Sequence, residues 1–391
     1  MTRVLISGAS IAGPALALWL HRYGFEVTVV EKAAQVRPGG QAVDVKGATH
    51  RTVLERMGIL DDVRRAATGG GADGLLVDAA GRTIGVVPAA FSGGEIEIAR
   101  GDLARILHDR TASTCEYVFD DTITELRETP DGVDVTFARA APRTFDLVVG
   151  ADGIHSTVRR LAFGPESDYV THLGYYYALV ELDPALTSGD EMYTEPGRMA
   201  ATGGPKAPAF FVFASDPLDI GRDDVERQKQ ALADAFRGAA WKVPQLLDAL
   251  PTARSFYLDS VSRATTDRYA QGRVVLVGDS AYGNTLGGFG TGLALVGATV
   301  LAGELRRADG DHREAFAQYE ARFRRYARVA EKVNAGSLLA PRTRTRIRLR
   351  NKLFSVAPLF AGVMKLMDRF ATDIELGDDG LDGVPEPRIV S

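Results

Sequence analysis

Cysteine is nearly absent from this 391-residue chain: Cys115 stands alone, so no intrachain disulfide can form and a reducing compartment is the simplest setting. Charge of one sign is also scarce. A net charge of -5 from 46 basic and 51 acidic residues gives no overall attraction to phosphate backbones, so nucleic acid is not expected as a partner. Long apolar runs are missing as well. The strongest candidate, "LFSVAPLFAGVMKLM", falls short of the roughly 20 residues a membrane span needs and carries Pro358 and Lys365, so it reads as a helix packed on the body. The basic stretch before it, "RTRTRIRLRNK", reads as a solvated or ion-paired helix face, and membrane contact is not expected. The opening "MTRVLISGAS" reads as a strand rather than a secretory signal, which makes the cytoplasm the expected location.

What is present is glycine, and it is concentrated. "LVGDSAYGNTLGGFGTGLALVGA", from Leu276 onward, places Gly283, Gly287, Gly288, Gly290 and Gly292 within ten residues, at a cost of about 0.5 to 1 kcal/mol each relative to alanine. The Val-rich run before them predicts a strand buried on both faces, and the apolar run after them predicts a helix. A strand-to-helix turn with Asp279 at its mouth suits a ligand offering hydroxyl groups to the acid and an electron-rich ring to the amides.

The N-terminal stretch "RVLISGASIAGPALALWLHRYGFEVTVVEK" reads as strand, glycine turn, helix and second strand, a βαβ unit. "GASIAG" matches GxGxxG at Gly8 and Gly13, with Ser10 in place of the middle glycine and Ile11 and Ala12 completing the turn. Glu31, followed by Lys32, lies at the spacing where an acid takes ribose hydroxyls, so the unit is expected to bind a dinucleotide. "GASIA" also matches the GxSxG elbow of hydrolases. That reading lacks a partner, because only His312 lies in the last third of the chain and it sits in a charged helical stretch. No spacing of Cys, His and acids suggests a metal site; His21, His108 and His155 read as surface or packed residues.

A third element, "FDLVVGADGIHSTVRR", again runs from an apolar strand into a glycine turn, at Asp152 and Gly153. In this order the three motifs resemble the class A flavoprotein monooxygenases of the para-hydroxybenzoate hydroxylase type, over roughly residues 1–335. "RPGGQAVDVKG", "EIARGDLARIL", "ADGIHSTVRR" and "HLGYY" are most similar to the tetracycline destructase branch and its actinobacterial-type relatives. The resemblance implies noncovalent FAD, reduction by NADPH or NADH, and oxygenation by molecular oxygen, through a flavin C4a-hydroperoxide, of an aromatic or polycyclic small molecule, tetracycline-like or polyketide-like. It further implies that Gly8, Ser10, Ile11, Ala12 and Gly13 hold the pyrophosphate and Glu31 the ribose. Arg100 would touch FAD from the neighbouring helix, and Asp152 and Arg159 belong to a segment credited with nucleotide contacts. Asp279 would take the ribityl or pyrophosphate side, with Gly288, Gly290 and Thr291 near the pyrimidine edge of the flavin.

The chain departs from this pattern after Asp279, where Ser280, Ala281 and Tyr282 replace the usual Ala-Ala-His and Leu286 stands near a customary proline. That departure leaves open an FAD-dependent reductase or dehydrogenase, or a nonenzymatic flavoprotein that sequesters a ligand.

The expected fold class is α/β: a doubly wound, Rossmann-like, GR2-type FAD-binding lobe (1–70, 97–168 and 264–335), a substrate lobe with a mixed sheet (71–96 and 169–263) and C-terminal helices (336–391). Gln41, Asp44, Tyr177, Phe211, Phe213 and Tyr257 are the candidates to line the substrate pocket. No side chain offers an obvious general base, so the flavin would carry the chemistry. A monomer or homodimer is expected.

Overall fold

The computed structural model describes residues 1–37, 42–69, 73–88, 96–203, 209–328, 333–355 and 376. Eighteen strands are named here in chain order: β1 (Arg3–Ser7), β2 (Glu26–Glu31), β3 (Ala42–Val45), β4 (Gly74–Val77), β5 (Thr83–Val87), β6 (Ile96–Ala99), β7 (Glu116–Phe119), β8 (Ile123–Thr129), β9 (Gly132–Phe137), β10 (Arg143–Phe145), β11 (Leu147–Gly150), β12 (Val170–Glu181), β13 (Glu191–Glu195), β14 (Arg198–Thr202), β15 (Ala209–Ala214), β16 (Ser255–Ala264), β17 (Ala270–Gln271) and β18 (Val274–Leu276).

One sheet runs β17-β18-β11-β1-β2-β7 and is parallel except for the β17–β18 hairpin. Its central strands are continuous apolar runs, "VLI" in β1 and "LVVG" in β11, because layers cover both of their faces. The helices Ala12–Arg22, Arg100–Asp109 and Gly290–Arg307 and the antiparallel sheet β10-β9-β8 close over it within one buried apolar cluster. A buried bond from Trp19 Nε1 to Thr299 Oγ1, 3.0 Å, ties the first and last of these helices together. Chain order reverses between β1 and β11, so a crevice opens at the carboxyl ends of those strands.

The second sheet has seven strands, β16-β12-β15-β14-β13-β4-β5, antiparallel except for the β13–β4 pair, and is therefore mixed. Helices Val225–Ala235 and Val243–Asp248 belong to the apolar cluster on one of its faces, and Ala335–Leu339 to the cluster on the other. The helix Arg344–Ser355 packs against the edge strand β5 and against β13.

Candidate active site

Three strand-to-helix turns converge on the crevice. After β1, Gly8 has φ +108°, and a Cβ there would lie 2.4 Å from the carbonyl oxygen of Ala151 at the end of β11. A Cβ on Gly13 would lie 1.9 Å from the Gly8 carbonyl oxygen. Only glycine fits either position, which is the physical content of the motif. The helix beginning at Ala12 has no side-chain cap at Ile11, so its first-turn amides can serve an anion. Ser10 is half-buried beside them.

Glu31 accepts a hydrogen bond from Ala9 N at 2.8 Å and another from Ala33 N at 2.9 Å. Its carboxylate thereby links the glycine turn to the end of β2, and each oxygen keeps a lone pair for a hydroxyl donor. Lys32 is exposed next to it.

The turn after β11 is built differently. Asp152 accepts from Thr157 N (2.8 Å), Val158 N (3.1 Å), Ser7 Oγ (3.3 Å) and Ser156 Oγ, so its carboxylate caps the helix Thr157–Ala162. Burial outweighs these bonds and pushes its pKa upward. A cofactor contact from Asp152 would fall to its main chain. Arg159 is fully buried and donates to the carbonyls of Ser280 (2.8 Å) and Ile154 (2.5 Å), locking this turn to the one after β18.

That last turn holds Asp279. Burial raises its pKa, opposed by the charge of Arg100, and its carboxylate has no hydrogen-bond donor among the described residues. Gly290 starts the following helix with its Cβ position 3.4 Å from Asp279 Oδ1, and Gly288 has φ +78°. A half-buried acid without a donor among the described residues, beside open amides, fits a polyhydroxyl chain. The other glycines here have internal reasons. A Cβ at Gly292 would lie 2.0 Å from His50 Cε1, and one at Gly283 would lie 2.7 Å from the Asp279 carbonyl oxygen. Thr291 is half-buried at the start of the helix. Leu286 has φ +59°, which a proline cannot adopt, so the departure from the resembled pattern is a different backbone path and not merely a lost ring. Main-chain bonds from Thr285 N to Ser262 O and from Ala264 N to Gly283 O pin this loop to β16.

Lys46 was not foreseen as part of the site. Its buried ammonium lies 3.8 Å from Asp44 and 3.8 Å from the Cβ position of Gly288. Asp and Lys two apart on a strand share a face, a signal the sequence did carry. His50, which accepts from Lys46 N, is held neutral by burial and by the Lys46 charge, its pKa lowered to about 4.

On the substrate side, cross-strand pairing sorts the candidates. Tyr177 pairs with Val212 and with Asp259, and Leu179 pairs with Phe210 and with Tyr257, so these side chains share one face. Ala178 pairs with Phe211 and Tyr176 with Phe213, so Phe211 and Phe213 point to the other face. There they stack edge-on against Phe236, at 5.2 and 6.2 Å between centroids. The expectation that these two phenylalanines line a pocket is corrected: strand alternation puts them in the core behind the sheet. Tyr177 is buried and Tyr257 is 43% exposed, with their rings 5.8 Å apart. Burial is the largest cause raising both phenol pKa values; the neighbouring Tyr257 and Asp259 add to the rise at Tyr177, whereas at Tyr257 Asp259 adds to it and the bond with Tyr177 opposes it. The charge of Arg100 opposes the rise at both, so one exposed guanidinium serves Asp279 and the two tyrosines. Gln41 lies outside the described residues.

Behind Tyr257 stands an ion cluster that sequence reasoning missed. Tyr257 donates to Asp259 Oδ2 (2.8 Å), and His155 Nε2 lies 3.0 Å from Asp259 Oδ1. His155 Nδ1 lies 3.0 Å from Glu166 Oε1, which also accepts from Arg222 at 2.7 Å. Burial pulls the imidazole pKa down, but the two carboxylates more than offset this and raise it.

A family model described as an FAD binding domain matches residues 1–332. "Uncharacterized protein Rv1260" of Mycobacterium tuberculosis (strain ATCC 25618 / H37Rv) is 42% identical over 338 residues, covering 83% of this chain and 90% of that protein. A "Flavin-dependent monooxygenase" of Legionella longbeachae serogroup 1 (strain NSW150) is 35% identical over 342 residues, covering 84% and 87%. The crystal structure of tetracycline destructase Tet(55) superposes with a TM-score of 0.81 at 32% identity, covering 97% of this chain and 99% of that one. With the three turns in place around one crevice, these likenesses establish that the chain belongs to the FAD binding domain family and is a class A FAD-dependent monooxygenase near the tetracycline destructase branch.

Proposed function

We propose that the enzyme consumes NADPH or NADH and molecular oxygen to oxygenate an aromatic or polycyclic small molecule, tetracycline-like or polyketide-like, in the cytoplasm, as a monomer or homodimer. The observation that carries the reading is the face shared by Tyr177, Tyr257, Phe210 and Val212, an apolar wall with two phenols that Arg100 links to Asp279. Such a wall suits a flat ring system with polar substituents.

Bound FAD would supply hydride acceptance and oxygen activation. The chain's own part is binding and placement. The open amides after Ile11 would hold the pyrophosphate, Glu31 a ribose, and Asp279 the hydroxylated chain. Lys46 and the amides at Gly288, Gly290 and Thr291 would favour negative charge in the same place. Tyr257 and Tyr177 would present hydroxyls to substrate oxygens, with the apolar residues around them excluding water.

The test is NADPH and NADH oxidation by FAD-loaded protein with a panel of polycyclic phenols, including tetracyclines and anthracyclines, under isotopically labelled oxygen. Ligand-stimulated oxidation with label in the product is expected. Stimulated oxidation without label would replace the reading with a reductase, and a flat response with FAD bound would replace it with a ligand-sequestering flavoprotein.

A further inference from the structure

The helix Arg344–Ser355 divides its basic residues into two sets. Arg350 is buried and donates to Leu339 O (2.8 Å), Leu338 O (3.3 Å) and Thr194 Oγ1 (3.1 Å), its pKa lowered to about 10 by burial. Phe354, one turn on, packs with Leu76, Val87 and Met192. These two residues anchor the helix to the sheet. Arg344, Arg346, Arg348 and Lys352 are exposed, and none has an ion pair or a side-chain hydrogen bond to another described residue. Between them stand Leu349, 67% exposed, and Leu353, 41% exposed, four residues apart and so neighbours on the outward face. Of the solvated or ion-paired face expected of this basic stretch, the described residues show the solvated form.

Two further observations define what would cover such a face. The helix carries no acid, in a protein whose net charge is -5, so its charge is a local reversal of the whole. The strand it packs on, β5, is the edge of the seven-stranded sheet, and that edge hairpin exposes Leu75, Ile84 and Val86. Cations without a fixed partner among the described residues, interleaved with exposed leucines, match a surface of many mobile anionic groups over an apolar layer. A nucleic acid would leave the leucines unused, a second copy of this helix would bring like charge against like, and a protein partner would favour acids in fixed, directional pairs.

We infer that the outward face of Arg344–Ser355 docks on an anionic lipid surface, with Leu349 and Leu353 entering the headgroup boundary and Arg344, Arg346, Arg348 and Lys352 over the lipid phosphates. Lying on a membrane needs no spanning segment, so the short apolar runs of the sequence do not oppose it. The anchor residue Arg350 bonds Thr194, whose cross-strand partner Met199 lies in the same apolar cluster as Tyr177. The docked helix therefore packs on the same face of the sheet as Tyr177.

The experiment is co-sedimentation of the full FAD-loaded chain with vesicles of phosphatidylcholine containing about one-third phosphatidylglycerol, at roughly 0.05 and 0.5 M salt. Retention at low salt, release at high salt and no retention on pure phosphatidylcholine are expected. Each cation replaced by glutamine should weaken partitioning about fivefold, so the variant Arg344→Gln/Arg346→Gln/Arg348→Gln/Lys352→Gln should not sediment. Leu349→Ser/Leu353→Ser, which touches no anchor, should weaken it about tenfold per leucine and serves if the first variant does not fold. Absence of retention of the unaltered chain on the anionic vesicles, or retention of both variants equal to that of the unaltered chain, overturns the inference. So does binding of duplex DNA or self-association through these residues without vesicle binding.

Discussion

Replacing Asp259 by asparagine tests whether the ion cluster behind Tyr257 works through its charge. The carboxylate receives His155 at 3.0 and 3.2 Å, Tyr257 at 2.8 Å and Ser260 N at 2.7 Å. A hydrogen bond to a charged group contributes about 1.5 to 3 kcal/mol. The His155 and Asp259 side chains are 21% and 14% exposed, so a middle value of about 2 kcal/mol is appropriate once solvent screening is allowed for. The pH window follows from the directions of the shifts. His155 is raised, so its contribution is complete below its ordinary value of about 6.5 and fades as pH rises through the folded value. Asp259 is lowered, so its contribution is complete above about 4 and fades as pH falls through its folded value. Urea unfolding of the wild type and of Asp259→Asn should therefore differ by about 2 kcal/mol near pH 5.5 and by less than about 1 kcal/mol at pH 9. A difference of the same size at both pH values would refute the argument, because it would mean that shape alone, and not the charged pair, holds the cluster.

Gly292→Ala should cost about 1 to 3 kcal/mol despite the better helix propensity of alanine, because the added Cβ would lie 2.0 Å from His50, which is fixed between Lys46 N and Tyr326 Oη; the penalty in urea unfolding should shrink in a His50→Ala background. Leu286→Pro should lower the melting temperature by several degrees, whereas Leu286→Gly, which accepts φ +59°, should not. Asp279→Asn should weaken FAD retention, read by equilibrium dialysis, at least several-fold while leaving the melting temperature of the apoprotein unchanged or raised, since burial already disfavours that carboxylate. Phe211→Ala should cost about 3 to 5 kcal/mol of stability in urea unfolding.

The first βαβ unit was legible because all of its constraints are local. Gly8, Gly13 and Glu31 lie within 24 residues, and strand, turn and helix each leave their own periodicity in the letters. The mixed sheet was legible only as a set of strands. Which face of each strand meets the cleft depends on register, and one residue of slip exchanges Phe211 for Val212. The run "AFFVFA" is apolar at every position, so it offers no alternation by which to choose. Only the pairing of Tyr177 with Val212 decides it.

Register is not the only thing the letters leave open: two acids that look alike in the sequence differ in the structure. Asp152 and Asp279 each follow a buried strand and a glycine, and by sequence they are equivalent candidates for a ligand. They differ in what the next residues do. After Asp152 the chain supplies Ser156 Oγ and the amides of Thr157 and Val158 within six residues, so the carboxylate closes on its own helix. After Asp279 the chain turns at once into a four-residue helix and then the glycine loop, which brings Gly290 toward the carboxylate without offering it a bond. An acid with no hydrogen-bond donor among the described residues carries a desolvation cost that the charge of Arg100 only partly offsets. That lack of a donor, rather than the glycine turn itself, separates the carboxylate proposed to meet a ligand from the one that caps its own helix.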